Sequence, residues 1–154
     1  MFISIKKSFK LETLPKEKFK LLAIHSNLSI YSLAFQMNKF CFTEFIRSAK
    51  DLKVNGDYSL THFKWNIKEK GIDFELFENK FIVNGKDSEL SDSLFSFSVS
   101  KELSLISSHK EVDFFIKQNC FFSTSNLIEK MSKIKNINLI YRIPNDELPE
   151  NLYL

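Results

Sequence analysis

The chain is expected to fold as an α+β domain: an antiparallel sheet of five to seven strands with two helices on one face, a ferredoxin-like core with inserted strands. Three observations predict this. Short runs alternate apolar and polar residues over 63–67, 72–76, 95–99, 112–116 and 137–143, the period of a half-buried strand. Two other stretches, 30–37 and 127–134, repeat at helical spacing. Each lies between strands, one towards either end, while the middle strands follow one another directly.

The elements follow from local chemistry. Residues 19–25, FKLLAIH, form a short apolar run that stops at Ser26-Asn27 and reads as the first strand. Ile30, Leu33, Ala34 and Met37 share one helix face, and Asn27 or Ser29 can cap a helix over 29–39. Residues 40–47, FCFTEFIR, are aromatic and β-branched and read as a second strand. Asn55-Gly56-Asp57 is a turn. Phe63, Trp65 and Ile67 alternate with Lys64, Asn66 and Lys68. After Glu69-Lys70-Gly71, Ile72, Phe74 and Leu76 alternate with Asp73 and Glu75. Two such runs across a short glycine-containing loop predict a hairpin with lysines facing acids. The polar stretch 84–93 reads as a loop, and Phe95, Phe97 and Val99 as part of a further strand. Val112, Phe114 and Ile116 mark another. Leu127, Ile128, Met131 and Ile134 mark the second helix, with Ser123 or Ser125 at its cap and Glu129 in its first turn. Ile137 to Ile143 is the last strand, stopped by Pro144.

One domain is expected, because 154 residues with 44% apolar and 27% charged side chains match a single globular unit. It should span 19–145, between a basic, flexible segment over 1–18 and an acidic tail over 146–154. Residues 1–20 carry six lysines against Glu12 and Glu17, although the net charge of the whole chain is only +3. The 17 Phe, 3 Gly and 20 Lys against Arg47 and Arg142 alone read as the residue usage of an AT-rich genome. Cys41 and Cys120 sit in aromatic company and read as buried, reduced thiols, which fits a cytoplasmic protein. The opening MFISIKKSFK is no signal peptide, since lysines interrupt it, and no run reaches membrane-spanning length.

Little in the sequence announces chemistry. Gly56, Gly71 and Gly85 are isolated and build no phosphate loop. His25, His62 and His109 lack metal-ligand spacing, so neither a metal nor a cofactor is expected. His62 alternates within a strand and should face solvent. The flanks of both cysteines argue against a catalytic thiolate. Arg47 and Asp51 stand four apart and can pair. Asp113, an aspartate in a strand, calls for a partner such as Arg47 or Lys110. His62-Phe63-Lys64-Trp65-Asn66 interleaves aromatics with a lysine, as RNA-binding sheets do, but the alternation turns Phe63 and Trp65 towards the core.

A family resemblance adds to this. Ile106, Val112 and Asp113, with Phe114 in place of tyrosine and Ser107-Ser108 in place of Pro-Glu, resemble the motif of the IPExxxVDY family of Bacteroidetes. Tyr31, Leu33, Ala34 and Asn38-Lys39 look like that family's helix, and Arg47 to Leu52, with Asp51, is similar to its R-x-x-D-L signature. The resemblance covers roughly 19–154. It implies the same order of hairpin, helix and last strand, and no established activity. The candidate interaction or motif residues are therefore Tyr31, Asn38, Arg47, Asp51, Trp65, Lys110, Asp113 and Phe114, with no catalytic group among them. The expected function is a small non-catalytic protein-binding or adaptor module, acting on a protein partner or as a homodimer. An RNA-binding accessory protein is the alternative, and an enzyme using Asp113, His109 or His25 is a third reading.

Overall fold

The computed structural model describes residues 19–54, 58–85, 99–149 and 152. The strands are β1 (Lys20–Ser26), β2 (Ile46–Arg47), β3 (Leu52–Val54), β4 (Tyr58–Leu60), β5 (His62–Ile67), β6 (Ile72–Glu78), β7 (Lys80–Gly85), β8 (Val99–Ser104), β9 (Phe114–Gln118) and β10 (Ile137–Arg142). The helices are α1 (Ile30–Phe40) and α2 (Ser125–Ser132). Six strands form one antiparallel sheet in the order β10-β1-β9-β6-β5-β2, and β3-β4 and β7-β8 pair as separate hairpins. The run β10-β1-β9-β6 is the ferredoxin-like arrangement. The insertions lie between α1 and β6 and between β6 and β9.

Both helices pack on one sheet face. Ile30, Leu33, Ala34 and Met37 of α1 and Met131 of α2 close over Leu22, Ile24, Phe74, Leu76, Phe114 and Ile116. The opposite face is also covered. Leu21, Ala23, Phe77 and Phe115 lie under Ile106, Val112, Ile143 and Leu152. Cover on both faces explains why Leu21-Leu22-Ala23-Ile24 is unbroken apolar rather than alternating, with each residue 0% exposed. Leu148 and Leu152 bring the described part of the acidic tail onto this second layer.

Most elements match the sequence reading. Ser29 caps α1, its Oγ accepting from the Ser32 N–H at 3.2 Å. The β5-β6 hairpin sets Lys64 opposite Glu75, 3.0 Å apart, and turns at Gly71, whose φ of 62° suits glycine.

Several expectations are corrected. The stretch 40–47 is not a strand: Phe40 ends α1, 41–45 is a loop, and only Ile46–Arg47 pair with β5. Strands β3, β4 and β7 are not among the predicted elements, and Asn84-Gly85, expected at the start of a loop, end β7 and pair with β8. The expected turn at 55–57, the loop over 86–93 and Phe95 and Phe97 lie outside the described residues, as does the segment 1–18. Thr124, not Ser123 or Ser125, precedes α2, and Glu129 falls beyond its first turn. His62 is buried at 4% exposure at the start of β5, its Nε2 3.0 Å from the Ser48 hydroxyl, while Lys64 and Asn66 on the same side are exposed.

Candidate interaction site

The predicted residues form three groups, and each begins as a local structural device. Asn38, near the end of α1, clamps the following loop. Its Nδ2 donates to the Phe45 carbonyl at 2.9 Å, and its Oδ1 accepts from the Thr43 hydroxyl and the Phe45 N–H, both at 2.8 Å. Within the clamp Phe42 takes a positive φ of 56° and is 78% exposed. Such a backbone costs on the order of 1 kcal/mol in a bulky residue. Tyr31 lies exposed on α1, edge-on to Phe63 at 5.7 Å. Arg47 and Asp51 do pair, at 2.9 Å, on the surface beside β2 rather than along a helix.

The second group surrounds Asp113. Its carboxylate accepts from the Ser26 N–H at 3.0 Å and from Lys80 Nζ at 2.8 Å, so neither Arg47 nor Lys110 is its partner. The hydrogen bond to Asp113 holds the Lys80 ammonium protonated to higher pH than usual, partly offset by burial. Asn79, 0% exposed, binds the segment just before Asp113: Nδ2 donates to the His109 and Val112 carbonyls and Oδ1 accepts from the Ile106 N–H, all at 2.9 Å. The motif-like stretch 106–114 is thus a strap tied to β1 and β7. Phe114 is buried in the helix-side core, and Lys110 is exposed without an ion pair among the described residues.

The third group lies at the far end of the hairpin. Trp65 stacks on Phe74 at 5.2 Å and packs near Phe45 at 5.9 Å. It is half-buried against the helix layer, so the strand aromatics form no open stacking platform. Above it opens a cleft of about 210 Å³, lined among others by Cys41, Thr43, Phe122, Leu127 and Lys130. A shallower recess of about 590 Å³ adjoins it, sharing Ile72 and Phe122 and adding Lys68, Lys70, Asp73, Cys120 and Phe121. The Trp65 Nε1–H is buried and meets no acceptor among the described residues. An unmade hydrogen bond of that kind costs about 1–3 kcal/mol. Burial pushes the Cys41 thiol up, against the charge of Lys130, so it is a poor nucleophile.

The rim is aromatic and exposed. Phe121 is fully exposed, Phe122 is 48% exposed, and Phe42 holds Lys130 Nζ 5.4 Å from its ring centre. The loop carrying Phe121 and Phe122 is fixed from below by buried Gln118, whose Nε2 donates to the Cys120 and Phe122 carbonyls at 3.1 and 2.6 Å. Lys20 Nζ adds a bond to the Phe122 carbonyl at 3.0 Å.

No protein-family model, curated protein or solved structure matches the chain.

Of the eight predicted residues only Trp65 lines this cleft, while Asn38 shapes it by holding the loop of Cys41 and Thr43. Phe42, Phe121, Phe122 and Lys130 were missed. The consecutive Phe121-Phe122 just ahead of a helix was the available signal, since a loop has no alternation with which to bury both. Neither cavity is lined by His25, His109 or Asp113. His25 instead stacks on Tyr141 at 5.8 Å, and His109 Nε2 sits 3.9 Å from Glu147. Among the described residues no cluster of metal-ligating side chains occurs, and no helix is long and apolar enough to cross a membrane.

Proposed function

We propose that the protein is a non-catalytic protein-binding or adaptor module of the cytoplasm and a divergent member of the IPExxxVDY family. The observation that carries the reading is a set of exposed aromatics at the cleft by Trp65: Phe122 in its lining, Phe121 in the adjoining recess, and Phe42 under the Lys130 ammonium. Exposed aromatics over a preformed apolar recess are the anchors of protein interfaces. The two unpaired cysteines support a reducing compartment. Asn38, Asp113 and the Arg47–Asp51 pair support the family reading, because each holds chain segments together, as a recurring motif without chemistry would.

Affinity capture with the tagged full chain from its host's lysate, with and without RNase, tests this. A stoichiometric protein that survives RNase is expected, and it should be lost from the Phe121→Ser/Phe122→Ser variant. Recovery of RNA with partners that vanish on RNase treatment would overturn the reading, as would a strict monomer that retains nothing. Sedimentation of the purified chain identifies the case in which the partner is a second copy.

A further inference from the structure

The cleft at Trp65 specifies its occupant by charge as well as by shape. Its floor is the Trp65–Phe74 stack with Ile72 and Leu127, and its volume of about 210 Å³ suits one large apolar side chain. For comparison, an engineered apolar cavity of about 150 Å³ holds benzene. Around that floor and its outer recess stand three lysines, Lys68, Lys70 and Lys130, against one carboxylate, Asp73. None of the three is in an ion pair among the described residues.

We infer that the cleft docks an acidic peptide segment of a partner protein. One aromatic or leucine side chain of the segment enters between Trp65, Phe74 and Phe122. The carboxylates of the segment meet Lys130 at the cleft and Lys68 and Lys70 outside it. The same lysines would attract phosphates. However, one face of the Trp65 indole is taken by Phe74, at an interplanar angle of 19°, which favours an inserted side chain over a stacked base. This inference rests on the protein-binding reading above and narrows it to a partner class.

Selection of phage-displayed random peptides on the full chain tests it, followed by titration of the recovered peptides. Trp65 is the single tryptophan, so its emission reports occupancy of the cleft directly. Enriched peptides should be net acidic around one aromatic or leucine residue and should shift Trp65 emission. Their affinity should fall roughly tenfold between about 50 and 300 mM salt. Lys130→Glu with Lys68→Glu/Lys70→Glu should weaken binding about tenfold or more at unchanged thermal unfolding. Trp65→Phe, read by anisotropy of labelled peptide, should weaken it several-fold, because the smaller ring removes part of the cleft floor. Basic or unbiased peptides, peptides that leave Trp65 emission unmoved, tighter binding of oligouridylate, or indifference to charge reversal would each overturn the inference. If the lysate partner is still lost from the Phe121→Ser/Phe122→Ser variant while acidic peptides fail, only this inference falls. If no partner is captured either, both fall.

Discussion

Asn79 shows how much one buried side chain can organise. Its amide spends both donors and its acceptor on backbone groups of 106–112, while its own carbonyl accepts from the Leu105 N–H at 2.7 Å. Asn79→Ala takes the side-chain partner from the Ile106 N–H and the Val112 carbonyl, while the His109 carbonyl keeps the Val112 N–H at 3.1 Å, and should cost about 3 kcal/mol, lowering Tm by about 6–12 °C in circular dichroism melts. His62 supplies a pH dependence. Burial first, then the charges of Lys64 and Arg47, press its imidazole below the ordinary value, against Glu75 and Asp51. The folded chain therefore refuses a proton that the unfolded chain accepts. Stability from this group is full above about pH 6.5 and is lost as pH falls towards the depressed folded value. His62→Gln should remove that loss, so the urea-derived stability difference between wild type and variant should shrink with falling pH; a constant difference would refute the assignment. Neither role was legible in the sequence. Asn79 looks like any turn asparagine, and alternation alone turned His62 to water because it cannot tell that the His62 end of β5 is buried while Lys64 and Asn66 on the same side are exposed.

At the level of elements, legibility followed the strength of the repeat. The β5-β6 hairpin was readable because Trp65 and Phe74 face one layer while Lys64 and Glu75 pair on the other. The stretch 40–47 misled because aromatic content imitates a strand, whereas Asn38 fixes it as a loop through contacts up to seven residues away. Strands β3 and β4 are three residues each, too short to establish a period. The β9-α2 loop follows the same logic, because its course depends on Gln118 beneath it. Asn38→Ala should free the 41–45 loop. Expected are a loss of about 2 kcal/mol in urea unfolding and faster reaction of Cys41 with a thiol reagent, since its shielding depends on that loop.

For the whole molecule, the sheet order could be anticipated because two helices between strands leave few ways to build an antiparallel layer. The second layer could not, since Ile106, Val112, Ile143 and Leu152 come from segments without regular structure. Protection should follow this arrangement. Amides of β1 and β9, paired on both sides and covered on both faces, should exchange slowest, and those of β2 and the β7-β8 hairpin much faster. Hydrogen-exchange mass spectrometry measures this directly; fast exchange in β1 would contradict the two-layer core.

The pairing of β1 with both β9 and β10 has a consequence for biosynthesis. Leu21 to Ile24 are translated well before their neighbours on either side, centred on Ile116 and Ile140. At roughly 5–20 residues per second, that sticky tetrad waits on the order of 5–20 s without its native neighbours. A nascent chain of this design is a natural client for a holding chaperone, and its yield should depend on translation speed more than on final stability.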